Sequence, residues 1–293
     1  MTVGPLSKGG ARAGGQRSPR MTSTAARLVV RVGCRFEYDS PGPTPAVVLV
    51  RPEEHGQRVR YEDWATEPAI ASHDYADLFG NRCRRLTIPA GRFVMRYDAE
   101  VETSPEPAET DWNAREIPVE ELPDETLVYT LPSRFCLSDE LSDFAWETFG
   151  GVQPGWARVQ AICDWVHEQI VFKYGTSLPH TTVQDVLRDR TGVCRDFAHA
   201  AVTFCRALNI PARYAFGYLP DIGVPPVDVP MDFCAWFEAF LGGRWWTFDP
   251  RNNQRRIGHI PIARGRDALD VAMITTYGPA RLEKMAVWAD RVE

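Results

Sequence analysis

Cys194 carries the strongest chemical signal in this sequence. It follows Gly192 in a turn-like segment, and apolar residues then recur at helical spacing: Phe197, Ala201, Phe204, Cys205 and Leu208. The pattern predicts that Cys194 lies in the first turn of a helix. Unsatisfied N–H groups and the positive end of the helix dipole favour a thiolate there, so we expect its pKa to lie below the ~8.5 of a free thiol. Such a cysteine is typical of a nucleophile; the alternative is a buried cysteine without reactivity.

A second thiol and a carboxylate are predicted to share one face of a hairpin. Aromatic-rich stretches flank the pair Gly242-Gly243, which is typical of a β-hairpin turn. If Leu241 pairs with Arg244, Cys234 lies diagonal to Asp249 on the same face, with the two α-carbons about 7 to 8 Å apart. The sequence therefore predicts that Cys234 and Asp249 lie close together.

Three blocks of the sequence resemble the transglutaminase-like superfamily, whose papain-like fold is shared by transglutaminases and a set of microbial peptidases and amidases. The first block consists of GVCRDFA (192–198) followed by CRALNIPARY (205–214), the second is FCAWFEA (233–239), and the third is RWWTFDP (244–250). The resemblance implies an α+β fold, with a papain-like transglutaminase core preceded by a small antiparallel β-sandwich-type domain, as in many bacterial members. By the same resemblance, Cys194 matches the nucleophile and Asp249 the acid that orients a catalytic histidine.

Cys234 occupies the position where the family has that histidine. A thiol has a reference pKa near ~8.5, about two units above that of histidine, and it cannot bridge a nucleophile and an aspartate as two ring nitrogens do. His199 lies five residues after Cys194 on the predicted helix, roughly 140° away from its face, and is predicted to be structural. His180 and His259 stay open as replacement bases.

Three functions stay open on these residues. The first is thiol-based acyl transfer or hydrolysis at glutamine or peptide amide bonds through Cys194, with a replacement base or activation by the helix dipole alone. The second is a catalytically inactive module that binds a peptide or protein partner in the same cleft. The third is a thiol-redox or metal role for Cys194 together with Cys234, which for a disulfide requires β-carbons about 3.5 to 4.5 Å apart.

No cofactor or metal site is predicted from the cysteines. The seven cysteines contain no C-x-x-C pair and no histidine at zinc-finger spacing. An odd number of cysteines spread along the chain favours a reducing compartment, so we expect a cytoplasmic protein. The expected partner is a peptide or protein substrate.

Composition excludes several other classes of partner. The chain has 293 residues, a net charge of -6 and 44% hydrophobic residues. The sequence pI is ≈ 5.6 and the mean hydropathy is -0.29. A net negative charge opposes binding to nucleic acid or to anionic lipid, and no apolar run of about 18 residues predicts a membrane span.

The elements that must position these residues divide the chain into four regions. Residues 1–26 lack a signal-peptide core and are predicted to be a disordered tail or a start-site overcall, with Met21 as the alternative start. Period-two alternation over 27–102 predicts an antiparallel β-domain, and the proline-rich, acidic stretch 103–129 predicts an extended linker. The remaining residues, 130–293, are assigned to the transglutaminase-like core.

Three helices are predicted ahead of Cys194. The first begins at Ser138 as its N-cap and ends before Gly150-Gly151. An apolar stripe from Trp156 to Ile170 predicts the second helix. The third runs from Val183 to Arg188, with Thr182 as its N-cap.

Overall fold

The computed structural model describes residues 27–225 and 229–292. The tail predicted over 1–26 lies outside the described residues. The strands are β1 (Leu28–Ser40), β2 (Thr44–Val48), β3 (Arg58–Glu67), β4 (Ser72–Ala76), β5 (Arg82–Ile88), β6 (Gly91–Thr103), β7 (Val171–Phe172), β8 (Thr191–Gly192), β9 (Ala212–Tyr218), β10 (Cys234–Leu241), β11 (Arg244–Phe248), β12 (Ile260–Gly265), β13 (Ile274–Thr276) and β14 (Arg281–Arg291). The helices are α1 (Asp124–Leu127), α2 (Ser142–Phe149), α3 (Trp156–Gln169), α4 (Val183–Asp189) and α5 (Cys194–Ala207).

Two antiparallel sheets of four strands form a sandwich, and six of its eight strands come from the N-terminal part of the described chain. Their strand orders are β14-β1-β6-β3 and β13-β2-β5-β4. Alternate residues of β1, such as Val30, Val32 and Phe36, are fully buried between the sheets. The period-two pattern of the sequence therefore reflects one face of a sandwich, as the fold-class prediction expected.

The last two strands of the chain complete this sandwich. β13 pairs with β2, and β14 pairs with β1 along most of its length. Residues 274–291 were assigned to the core from the sequence, whereas their backbone hydrogen bonds are made to the sandwich. The physical reason is that β1 has β6 on one side only, and its other edge requires a partner that local sequence patterns do not reveal.

The segment predicted as an extended linker packs against the core. It contains α1 and two 3₁₀ turns, Val119–Glu121 and Val128–Thr130. The N–H of Trp156 donates to the carbonyl of Ala114 at 2.9 Å, and the N–H of Gly242 donates to the carbonyl of Arg115 at 2.9 Å. These bonds tie the segment to both α3 and the hairpin turn.

The sheet of the core has the strand order β11-β10-β9-β12 and packs against α5. From Asp196 to Ala207, every residue of α5 is buried. Phe237 and Ala239 of β10 share one core cluster with Phe197 and Phe204 of the helix. The helix is therefore fixed on the sheet, and its first residue lies beside the start of β10.

The helices before α5 follow the sequence prediction in part. α3 and α4 begin where expected, and the Asp185 carboxylate accepts hydrogen bonds from the Thr182 N–H at 3.0 Å and hydroxyl at 2.8 Å. α2 begins at Ser142, four residues after the predicted cap at Ser138, because the chain first makes a turn in which Glu140 N–H donates to Leu137 O at 3.2 Å. Among the described residues, no helix has both the length and the apolar character that crossing a bilayer requires.

The closure of the sandwich by β14 gives a testable prediction at Gly33. A Cβ added there would come 2.3 Å from the carbonyl oxygen of Tyr97 and 2.4 Å from the indole of Trp288. We expect Gly33→Ala to lower the free energy of unfolding by about 1 to 3 kcal/mol, measured by urea denaturation, because the added methyl overpacks the sheet. Gly42→Ala is the control, since an added Cβ there meets nothing within 4 Å. Equal stability of the two variants would contradict this packing of β14.

Candidate functional site

Cys194 is the first residue of α5, which confirms the predicted position. The carboxylate of Asp196 accepts a hydrogen bond from the N–H of Val193 at 2.8 Å and so closes the turn before the helix. A Cβ on Gly192 would lie 2.8 Å from the Cβ of Asp196. Glycine is therefore needed at 192 because the capping side chain approaches the backbone so closely.

The sulfur of Cys194 lies against the backbone on both sides of Cys234. As a thiol it contacts the carbonyl oxygen of Phe233 at 3.8 Å. A hydrogen bond from the Cys234 side chain holds the pKa of Cys194 below its usual value, against the opposing effect of burial. The N–H of Ala235 and the charge of Arg251 also lower this pKa, and the charge of Asp232 opposes them. The predicted depression of this pKa is therefore present, with a second thiol as its largest cause.

Cys234 begins β10 and retains its proton. It pairs with Gly217 of β9, and both Cys194 and Cys234 are free, half-buried thiols. The hydrogen bond to Cys194, burial, and the negative charges of Cys194 and Asp249 raise the pKa of Cys234 well above its usual value. Of the two thiols, Cys194 is therefore the one that loses its proton more readily, and Cys234 is the one that keeps it.

Asp249 lies just beyond the end of β11 and is buried. The hairpin register predicted from the sequence is confirmed, since Leu241 pairs with Arg244. Asp249 accepts hydrogen bonds from Asn252, at 3.0 Å from the backbone N–H and 2.6 Å from the side-chain amide. Burial alone would raise the pKa of Asp249, but the contacts with His259 and Asn252 lower it overall. The carboxylate is therefore ionised.

His259 contacts Asp249 rather than Cys194. Its Nε2 lies 3.6 Å from a carboxylate oxygen of Asp249, and its ring packs edge-on against Trp236 with the centroids 4.8 Å apart. His259 lines neither of the two clefts that Cys194 borders. His259, which the sequence left open as a replacement base, is therefore a partner of Asp249. The irregular segment around His259 carries no sequence pattern that could have predicted this contact.

The other two histidines considered as bases, His199 and His180, do not complete the site. His199 is buried, its Nε2 accepts a hydrogen bond from the N–H of Ala268 at 3.1 Å, and its ring stacks on Phe135. These contacts agree with its predicted structural role. His180 is exposed, and it is not among the described hydrogen-bond partners of Cys194.

Two clefts meet at the pair of thiols. One, of about 290 Å³, is lined by charged residues, among them Asp221, Arg251 and Arg256. The other, of about 270 Å³, is lined mainly by apolar residues: Tyr214, Phe216, Phe233, Ala235, Ala268, Val271, Ala272, Met273 and Ile274. An extended substrate could therefore pass over Cys194 with a polar part on one side and an apolar part on the other.

Arg251 is a site residue that the sequence analysis did not identify. Its guanidinium lies over the ring of Phe172, 4.4 Å from the centroid, and its positive charge lowers the pKa of Cys194. The available signal was its position two residues after Asp249, directly beyond the matched block 244–250. Within residues 27–225 and 229–292, no group of three or more His, Cys, Asp or Glu side chains is arranged to hold a metal ion.

The origin of the lowered pKa gives a prediction for the pH dependence of alkylation. Iodoacetamide should modify Cys194 at about pH 6 to 7, because the thiolate persists below the pKa of a free thiol. Cys234→Ala removes the largest cause of the shift, so the midpoint of the alkylation rate should move to higher pH. The rate is followed by mass spectrometry of the tryptic peptide 191–195, with Cys83→Ala as the control. Identical pH profiles for Cys234→Ala and the natural chain would contradict the role of the second thiol.

Comparison with known proteins agrees with this geometry. Residues 142–250 match the transglutaminase-like superfamily. A solved structure of a candidate cysteine protease from Cytophaga hutchinsonii is similar to this chain, with 31% sequence identity, a TM-score of 0.82 and coverage of 92% of each chain. That coverage includes the sandwich as well as the core.

The curated relatives match over a shorter range. An uncharacterized protein of Mycobacterium leprae is 35% identical over 117 residues, which are 39% of this chain and 42% of the relative. An uncharacterized protein of Mycobacterium tuberculosis is 30% identical over 146 residues, 46% of each protein. The match therefore covers less than half the length of these relatives. The similarity to the whole Cytophaga structure, together with the three blocks and the α+β papain-like core, shows that this chain belongs to the transglutaminase-like superfamily.

Proposed function

We propose that this protein performs thiol-based acyl transfer or hydrolysis at glutamine or peptide amide bonds, with Cys194 as the nucleophile. The observation that carries the proposal is the position of the Cys194 sulfur. It lies at the start of α5, is stabilised as a thiolate by Cys234 and Ala235, and borders both clefts. The lowered pKa of Cys194 favours the thiolate, and a thiolate can attack a carbonyl carbon without a general base.

The step after the attack depends on a proton donor. When the amide C–N bond breaks, the departing amine must take up a proton, and the thiol of Cys234 is the donor beside the reacting sulfur. The raised pKa of Cys234 makes it a weak acid, so this step should limit the rate. Water or an amine then attacks the thioester on Cys194 and releases the acyl group.

The clefts fit a peptide or protein as the substrate. The charged cleft and the apolar cleft meet at Cys194, so residues on either side of the reacting amide would meet different surroundings. The similar protein from Cytophaga hutchinsonii is described as a candidate cysteine protease, which supports a peptide substrate. The seven cysteines are all free in the described residues, which supports the expected cytoplasmic location.

A catalytically inactive module that binds a peptide or protein is the second candidate. The observation that favours it is the pairing of Asp249 with His259 and Asn252, which leaves Cys194 with no imidazole among its described hydrogen-bond partners. Loss of a positioned acid and base typically lowers a rate by ~10² to 10⁴-fold. A site that has lost this much of its reaction rate could still bind a peptide or protein without reacting with it.

Restoring a histidine at position 234 tests the catalytic proposal. The negative charge of Asp249 already acts on residue 234, and residue 234 lines the same clefts as Cys194, so an imidazole there would be near both groups. We expect Cys234→His to raise amidase or transamidase activity by about 10² to 10⁴-fold, because it supplies a general acid and base of suitable pKa. Cys194→Ala should abolish the activity. Ammonia release from glutamine-containing peptides and cleavage of peptide mixtures measure the two reactions.

Cys234→Ser is the control for this experiment, since it removes the thiol without supplying a base. Its activity should not exceed that of the natural chain. If Cys234→His shows no gain while circular dichroism reports an unchanged fold, more than the base has been lost. The binding module would then replace the enzyme as the better account of the site.

A further inference from the structure

We propose that Cys194 and Cys234 form a reversible dithiol and disulfide pair, in which Cys194 reacts with a peroxide and Cys234 closes the disulfide. This redox activity goes beyond acyl transfer and does not require it. It uses the same two sulfur atoms. The descriptions of the similar proteins reported above mention no such activity. The argument depends on where the two sulfurs lie, how accessible they are and how their proton is distributed.

The first step is proximity. The Cys194 sulfur is 3.8 Å from the carbonyl oxygen of Phe233, the residue directly before Cys234. Cys234 lines the same two clefts as Cys194, and it is close enough to be the largest influence on the pKa of Cys194. The start of β10 therefore holds the second sulfur against the first, and disulfide formation would require side-chain rotation rather than a movement of whole elements.

The second step is access. Both thiols are half-buried and border the same two clefts, so a small oxidant can reach them. The other cysteines are buried: Cys34, Cys83, Cys136, Cys163 and Cys205. Accessibility therefore separates this pair from the rest of the thiols.

Cys163 and Cys205 provide an internal comparison. They lie in one core cluster, near enough that the charge of Cys205 raises the pKa of Cys163. Burial is the largest cause that raises the pKa of each of them, so neither becomes a thiolate readily. Proximity without access and without a thiolate should leave this second pair reduced.

The third step is the division of roles within the pair. Reaction with a peroxide requires a thiolate, and the second thiol must supply a proton and then attack. Cys194 is the thiol whose pKa is lowered and Cys234 the one whose pKa is raised, which is the order that these roles require. The charge of Asp232 opposes the lowered pKa of Cys194, and the charge of Arg251 supports it.

The reaction balances in two steps. The Cys194 thiolate attacks the OH oxygen of a hydroperoxide, the O–O bond breaks, and Cys194 becomes a sulfenic acid while the departing oxygen takes the proton of Cys234 and leaves as an alcohol or water. The Cys234 thiolate so formed attacks the sulfenic sulfur, the S–O bond breaks, and the departing hydroxide takes a proton from solvent to become water as the disulfide forms. Both thiols are oxidised and one peroxide is reduced, and a dithiol reductant reverses the reaction. If the proposed acyl transfer holds, the disulfide also switches that activity off.

The experiment treats the full chain with stoichiometric hydrogen peroxide and then with iodoacetamide before digestion with trypsin. Two of the seven thiols should be lost, and a disulfide should join peptide 191–195 to peptide 214–244. Peptides 159–173 and 196–206, which hold Cys163 and Cys205, should appear fully alkylated after denaturation. Dithiothreitol should restore both lost thiols.

Two variants make the outcome decisive. Cys234→Ser should form the sulfenic acid without the cross-link, and dimedone should trap it on peptide 191–195. Cys205→Ser should behave as the natural chain. The proposal is overturned if the natural chain gives a sulfinic acid at Cys194 with no cross-link, or if Cys163 and Cys205 react first. Failure of amide turnover in every variant would contradict the acyl-transfer proposal and leave this one standing.

Discussion

The packing of α5 on the core sheet is the constraint on which the site depends. The helix is buried from Asp196 to its end, and its apolar contacts with β10 leave it no freedom to slide or rotate. Its first residue is consequently fixed at the beginning of β10, where the chain turns from Phe233 into the sheet. Any reactive pair formed by these elements must therefore join residue 194 to residue 234, whatever their side chains are.

The identity of residue 234 then decides where the charge lies. Two adjacent thiols need not ionise equally, and here the interaction with Cys194, burial and the charge of Asp249 raise the pKa of Cys234, while the interaction with Cys234 lowers the pKa of Cys194. The helix N-terminus favours the same distribution because its unsatisfied N–H groups attract a negative charge. Local geometry, the helix dipole and the neighbouring carboxylate thus all favour ionisation of Cys194 over that of Cys234.

Local patterns in the sequence predicted the elements of the site well. The two glycines at 242 and 243 determine a tight turn, so the register of Leu241 with Arg244 followed from turn chemistry alone. The start of α5 at Cys194 followed from the spacing of its apolar residues. Pairings between distant segments could not be predicted in this way, and β14 on β1 and His259 beside Asp249 are both of this kind. They depend on which edges and carboxylates remain free after the rest of the chain has folded.

The cysteine at position 234 reverses the effect of the aspartate. Next to a histidine, a carboxylate stabilises the protonated, positively charged ring and so assists proton transfer. Next to a thiol, the same carboxylate opposes the loss of a proton, because the product would be a second negative charge beside Asp249. Asp249 thus adds to the larger effects of Cys194 and burial, which also raise the pKa of Cys234. Ionisation is directed to Cys194, and a thiolate beside a protonated thiol is the state that both the slow acyl transfer and the reaction with peroxide require.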